Sequence, residues 1–260
     1  MITARITDAR VGVAARPDGG ASPTCPIIRD PAVVGAAARR WCARLPAVLD
    51  RLLPHPVRSA FALTDDPDEA CYPGEESLVA TAVPNRRREV VTARRCAREA
   101  LLALGHAPAA IPRGPHREPL WPAGVVGSIT HCTGFRGAAV AHTGELTGVG
   151  IDAEPHAALP PRVLGAVTDP VERAMLDRLA TTHPETCWDR LLFSAKESIY
   201  KAWFPLTGRW LGFEDARLDI DPDGTFVGHI LIESPLPRLA GRHLVDRGLI
   251  LTAVSVPAQG

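Results

Sequence analysis

The chain has 260 residues, with 29 basic and 29 acidic side chains balancing to zero formal charge, and 46% of it is apolar. That length builds a substantial core in one large domain or two small ones, and the composition excludes disorder. The even charge balance excludes a general nucleic-acid binder, and no apolar run reaches the ~18 residues a membrane helix needs.

Residues 1–8 show no apolar signal core, so a cytoplasmic protein is expected. The six cysteines, Cys25, Cys42, Cys71, Cys96, Cys132 and Cys187, have no ligand-like spacing and read as reduced thiols. Residues 1–46 form an N-terminal extension, rich in glycine and proline at first, with a helix signalled by Asp30-Pro31. Apolar spacing from Ala32 to Leu53 predicts one or two helices. Residues 64–76 are acidic and proline-containing, hence a loop.

Asn85 offers a cap for a helix running to about Leu104 and ended by Gly105. Its first turn carries Arg86, Arg87 and Arg88, where the helix dipole disfavours cations. Such a terminus either holds a phosphate or splays its arginines into solvent. Three strand-like runs follow, at 125–129, 137–141 and 146–151, and short turns between them suggest an antiparallel meander. A proline-rich stretch, 155–170, separates two halves, 47–150 and 151–260. Beyond it, helices are expected at 171–180 and from about Glu185 to Trp203, stopping before Pro205. Strands at 216–220, 226–232 and 249–256 complete an α+β chain of two halves. Each half has about three antiparallel strands packed against helices.

Only two of the 29 basic residues are lysine, Lys196 and Lys201, and both lie on the long helix. Arginine does not replace lysine where a compact, mobile point charge is wanted. Glu197 and Lys201 are four apart and share a helix face. Asp152 and Glu154 are two apart at a strand end and share a sheet face. Each pair alone reads equally as solvated surface. Together, three carboxylates make a hard oxygen set suited to Mg²⁺ with substrate phosphates. His131, entering a turn beside Thr130, is structural or holds a phosphate oxygen.

The strings Gly127-Ser128-Ile129-Thr130-His131-Cys132, Gly148-Val149-Gly150-Ile151-Asp152-Ala153-Glu154 and Phe193-Ser194-Ala195-Lys196-Glu197-Ser198-Ile199-Tyr200-Lys201 occur in this order. With the basic helix from Arg86 and the segment Arg117-Glu118-Pro119-Leu120-Trp121-Pro122, they resemble the Sfp/EntD-type 4′-phosphopantetheinyl transferases. The likeness is closest to the actinobacterial type II enzymes. It runs from about residue 48 to the C-terminus.

The resemblance implies that fold and a transfer of the phosphopantetheine arm from coenzyme A to a serine of apo acyl or peptidyl carrier proteins. The other product is adenosine 3′,5′-bisphosphate. It places the metal, Mg²⁺ or Mn²⁺, on Asp152, Glu154 and Glu197, with the Ala153 carbonyl or a water between the strand carboxylates. It makes Asp152, Glu197 and Lys201 the catalytic set, with Lys201 as the phosphate-binding lysine and Lys196, next to the acidic ligand, also on the coenzyme. Arg86 and Arg94 fall on the 3′-phosphate, and Thr130 and His131 on the coenzyme. His116, Arg117, Glu118 and Pro119 form a further coenzyme contact, in which His116 or Arg117 stands for the family's lysine. A cytoplasmic monomer without nucleic-acid or membrane partners is expected. A coenzyme A sensor and a Mg²⁺-dependent phosphohydrolase remain alternatives.

Overall fold

The computed structural model describes residues 48–258. The expected N-terminal extension, 1–46, lies outside them; of the helices expected from Ala32 to Leu53, the described part is a 3₁₀ turn at Val48–Arg51. The first sheet has the order β1-β3-β2, all antiparallel: β1 is Arg58–Ala62, β2 Val125–Cys132 and β3 Phe135–His142. The second has the order β4-β8-β7-β6-β5. Here β4 is Leu146–Pro155, β5 Ala216–Asp221, β6 Thr225–Ile230, β7 Arg238–Asp246 and β8 Leu249–Pro257.

The described residues also hold four α-helices: α1 Pro84–Ala103, α2 Pro161–Val167, α3 Pro170–Thr182 and α4 Trp188–Thr207. Helix α1 covers the first sheet through Cys96, Ala97, Ala100 and Leu101, which meet Ala138 and Val140. The opposite faces of the two sheets share a second core, in which Phe135 and Ala139 meet Val149, Ile151, Leu251 and Ala253. Period two in β4 therefore buries Val149, Ile151 and Ala153 on one side. Gly148, Gly150, Asp152 and Glu154 turn to the other.

The two-halved α+β architecture is as expected, with four differences. β4 does not continue a meander with β2 and β3. It pairs with β8, a hundred residues on, with Asp152 opposite Thr252. The second sheet has five strands because β7, polar in pattern, pairs with both β6 and β8. Asn85 is not the cap of α1: Val83 takes that position in an extended conformation, and Pro84 fills the first helical position. Helix α4 does not stop before Pro205. The proline falls in its last turn, where it removes a single backbone bond. Gly208 ends the helix at φ 63°.

Candidate active site

The site is built where α4 lies directly on β4. Gly150 makes this possible: a Cβ there would stand 1.9 Å from the Ser198 carbonyl oxygen and 2.7 Å from the Ala202 nitrogen. A Cβ on Gly148 would stand 3.1 Å from the Ala202 carbonyl oxygen. Two missing side chains thus let a helix backbone approach a strand backbone, and the next residues along that face are Asp152 and Glu154. Lys201, on the same face of α4 as Glu197, meets Asp152.

Asp152 is buried, at 5% exposure. Its Oδ1 accepts from Lys201 Nζ at 2.7 Å and from Thr130 Oγ1 at 3.3 Å. Its Oδ2 accepts from Ser194 Oγ at 2.8 Å. Lys201 also donates to the Ile151 carbonyl at 3.0 Å. Glu154 accepts from Arg190 Nη1 at 3.0 Å. Burial, and then the Asp152 charge, push the Glu154 carboxyl up to about 7 against the pull of Arg190. Glu197 is also buried, and burial raises its pKa, with Asp152 adding to the rise.

Strand β2 reaches this seam through side chains in place of a ladder. Ser128 Oγ accepts the Ile151 N–H at 3.1 Å, and Thr130 Oγ1 accepts the Ala153 N–H at 3.0 Å. Two hydroxyls therefore satisfy the outer edge of β4. Ala153 turns its N–H to β2, so its carbonyl faces the same side.

His131, one residue on, lies within 3.1 Å of Arg86 Nη1 through Nδ1. Arg86 also donates to Glu89 at 3.0 Å. Desolvation holds the His131 ring down to about 3, helped by the charges of Arg86, Lys201 and Arg136. The imidazole is therefore neutral at physiological pH, against Arg86 and within reach of the Lys201 charge. Of the neighbouring arginines, Arg87 is exposed, and Arg88 donates to Asn85 Oδ1.

Arg94 points inward from α1. Its Nε donates to the Ile111 carbonyl at 3.0 Å. Burial lowers its pKa, and Arg113, Arg98 and Arg86 lower it further, against the pull of Glu75. Arg113 opens a narrow loop that closes by a bridge to Pro119. In it, Glu118 Oε2 accepts the His116 N–H at 2.9 Å. The Glu118 carboxylate covers Gly114, whose added Cβ would lie 2.0 Å from Oε1. Arg117 sits at φ 72°, a left-handed conformation that glycine adopts freely. The His116 ring packs on Phe204 at 5.1 Å. The Tyr200 hydroxyl feels both Glu197 and Glu118, so this loop adjoins α4.

Lys196 is placed elsewhere. One residue from Glu197 it is turned by a full 100° around the helix. Its ammonium donates to the Val167 and Phe213 carbonyls, each at 2.8 Å, and to Glu172 at 2.9 Å. At 4% exposure it braces α3 and the 3₁₀ turn Phe213–Asp215, and it does not join the carboxylates.

Comparison with known proteins decides the family. Residues 74–141 match the model of the 4′-phosphopantetheinyl transferase N-terminal domain, and residues 148–253 match that of the 4′-phosphopantetheinyl transferase superfamily. The chain belongs to the 4′-phosphopantetheinyl transferase superfamily. It is 48% identical to the transferase Svp of Streptomyces mobaraensis over 217 residues, covering 80% of this chain and 88% of Svp. It is 50% identical to PptT of Mycobacterium tuberculosis over 202 residues, 74% of this chain and 88% of PptT. To Npt of Nocardia iowensis it is 46% identical over 223 residues, 80% of this chain and 99% of Npt.

In this transferase the donor chemistry fits a divalent cation: three carboxylates from two elements, with the Ala153 carbonyl beside them. As the side chains stand, Lys201 and Arg190 compensate two of those charges. Among the described residues, no group of three or more His, Cys, Asp or Glu side chains is gathered to hold a metal ion ready-made. Sequence reasoning missed Arg113, whose charge reaches Arg94, and the Ser194–Thr252 hydroxyl pair behind Asp152. Arg113 lies outside any periodic element, so no local pattern signals it; its place comes from the bridge to Pro119.

Proposed function

We propose that the transferase moves the 4′-phosphopantetheine arm of coenzyme A onto a serine of an apo acyl or peptidyl carrier protein and releases adenosine 3′,5′-bisphosphate. Asp152, Glu154 and Glu197 would hold Mg²⁺, with Mn²⁺ as a substitute. The observation that carries this reading is the meeting of Asp152 with Lys201 at 2.7 Å, with His131 between that pair and Arg86. A lysine on a carboxylate and an arginine on His131 thus offer charge at two separated points, and coenzyme A carries phosphates at two separated points to match them.

The carrier serine oxygen attacks the phosphorus bearing the pantetheine arm. A P–O bond forms to serine, and the bond from that phosphorus to the bridging oxygen of the pyrophosphate breaks. The electron pair leaves with adenosine 3′,5′-bisphosphate. When bound, Mg²⁺ supplies charge neutralisation and a template for the pyrophosphate oxygens. Lys201 lies where the leaving phosphate gains charge, and stabilising that charge is most of what a protein does in phosphoryl transfer. Glu197, buried on the same helix face, is the candidate acceptor of the serine proton. Arg86 and Arg94 hold the 3′-phosphate, with Arg113 beside them. Thr130 fixes the strand edge behind Asp152. An arginine-rich surface steers acidic carriers, and the working form is a cytoplasmic monomer.

The test is to incubate the full chain with coenzyme A, Mg²⁺ and apo carrier proteins of both kinds, and to weigh the carriers. A gain equal to one phosphopantetheine, lost when the metal is chelated, is expected. Binding of coenzyme A without any gain marks a sensor. Release of adenosine bisphosphate without a carrier marks a phosphohydrolase. Either result overturns the proposal.

A further inference from the structure

Glu75 is a carboxylate at 1% exposure, far along the chain from the reacting centre. Its Oε1 accepts from Arg98 Nη1 at 2.8 Å and from the Ile111 N–H at 2.9 Å, and its Oε2 accepts from Arg98 at 3.0 Å. The carbonyl of the same Ile111 accepts from Arg94 Nε at 3.0 Å. Residue 111 is thus clamped at both of its polar backbone atoms, two residues before Arg113. Behind the clamp, the Arg98 guanidinium lies 4.2 Å over the Tyr72 ring, and the Tyr72 hydroxyl donates to the Pro108 carbonyl at 3.2 Å. One stack therefore runs from Tyr72 through Arg98, Glu75 and Ile111 to Arg94.

The charges in this stack do not cancel. Glu75 pairs with Arg98, and burying both is tolerable only because they are paired. Arg94 feels the attraction of Glu75 against the repulsion of Arg113, Arg98 and Arg86, and it makes no ion pair among the described residues. The stack therefore holds one more guanidinium than carboxylate, and that surplus suits an anion.

We infer that Glu75 is a positioning residue, which through Arg98 and the Ile111 peptide sets Arg94 and Arg113 to receive the 3′-phosphate of coenzyme A. The inference rests on the assignment of Arg94 to that phosphate. It predicts a sign that plain electrostatics does not. Removing a carboxylate beside an anion site should tighten anion binding if only charge mattered. If Glu75 acts by position, binding weakens.

Titration calorimetry of the full chain with adenosine 3′,5′-bisphosphate and with adenosine 5′-phosphate tests this. In Glu75→Gln the Kd of the bisphosphate should rise about tenfold, the scale of losing one charge-assisted contact. The Kd of the monophosphate should stay, and KM for coenzyme A should rise while kcat holds. Arg94→Ala is run in parallel and should lose the same discrimination. If Glu75→Gln binds the bisphosphate as well as the parent or better while Arg94→Ala has lost it, the inference is overturned. It is overturned equally if both nucleotides weaken alike or kcat falls with KM unmoved, the marks of a purely structural role. Parent-like binding by Arg94→Ala removes the assignment beneath it, and Glu75's role with it. Should Glu75→Gln not fold, Glu75→Asp enters the same assay. It keeps the charge and moves it, so the same weakening is expected, and undiminished discrimination would refute it.

Discussion

Lys201 Nζ sits 2.7 Å from Asp152 Oδ1, joining a helix to a strand through two residues 49 apart in sequence. Arg86 stands at the other end of the site, beside His131. On the proposed function the two cations would serve different phosphates. Lys201→Ala should lower kcat by roughly 10²–10³, as loss of one charge-stabilising donor does. Arg86→Ala should act mainly on KM and narrow the preference for coenzyme A over its 3′-dephospho form. Steady-state kinetics on both substrates checks the division, and equal losses in kcat would refute it.

Gly150 is the geometric condition for that contact. An alanine Cβ would stand 1.9 Å from the Ser198 carbonyl oxygen, which is backbone and cannot swing away. Gly150→Ala should destabilise by about 1–3 kcal/mol, the range for overpacking, and should lower activity as α4 lifts from β4. Thermal unfolding and carrier loading, measured together, check this. An unchanged Tm would show that the seam yields more easily than its spacing suggests.

Much of the site is legible because periodicity is local. Asp152 and Glu154 share a face by alternation, and Glu197 and Lys201 share one by helical spacing, whatever the tertiary fold. What periodicity does not carry is which strand β4 joins, since Ser128 and Thr130 link it to β2 by hydroxyls while its ladder partner is β8. Strand β1 is half-buried throughout, and β7 alternates too unevenly to stand out as a strand. The lysine pair looked like one functional unit because composition isolates it. Its members diverge because neighbouring helix positions face different elements.

That divergence gives a third prediction. Lys196 makes all three of its bonds inside the protein, and its partner Glu172 also accepts the Leu218 and Asp169 N–H groups. Lys196→Met leaves the Glu172 carboxylate buried without its cation, a loss of about 3–5 kcal/mol. Specific activity per folded molecule should stay within about twofold of the parent, far from the effect at Lys201. A stable Lys196→Met protein with kcat as low as that of Lys201→Ala would return Lys196 to the reacting centre.

His243 carries the last prediction, one of pH and stability. It pairs across β8 with Thr252, which in turn pairs with Asp152. Its Nε2 is 2.8 Å from the Asp221 carbonyl, and its ring meets the Trp188 ring edge-on. Burial lowers its pKa from the ordinary 6.5, against the opposing pull of Asp221 and Asp223. With the folded value below the unfolded one, the unfolded chain binds the proton more readily. The stability tied to a neutral His243 is therefore full above about 6.5 and drains away as pH falls through that value. His131, also depressed, slopes the same way, whereas Glu154 and Glu197, raised by burial, slope against it. Subtracting His243→Gln from the parent isolates the one contribution. Urea midpoints between about pH 7.5 and 5 should fall less steeply in the variant than in the parent. Parallel curves would mean that the His243 ring takes up its proton without cost in the folded state.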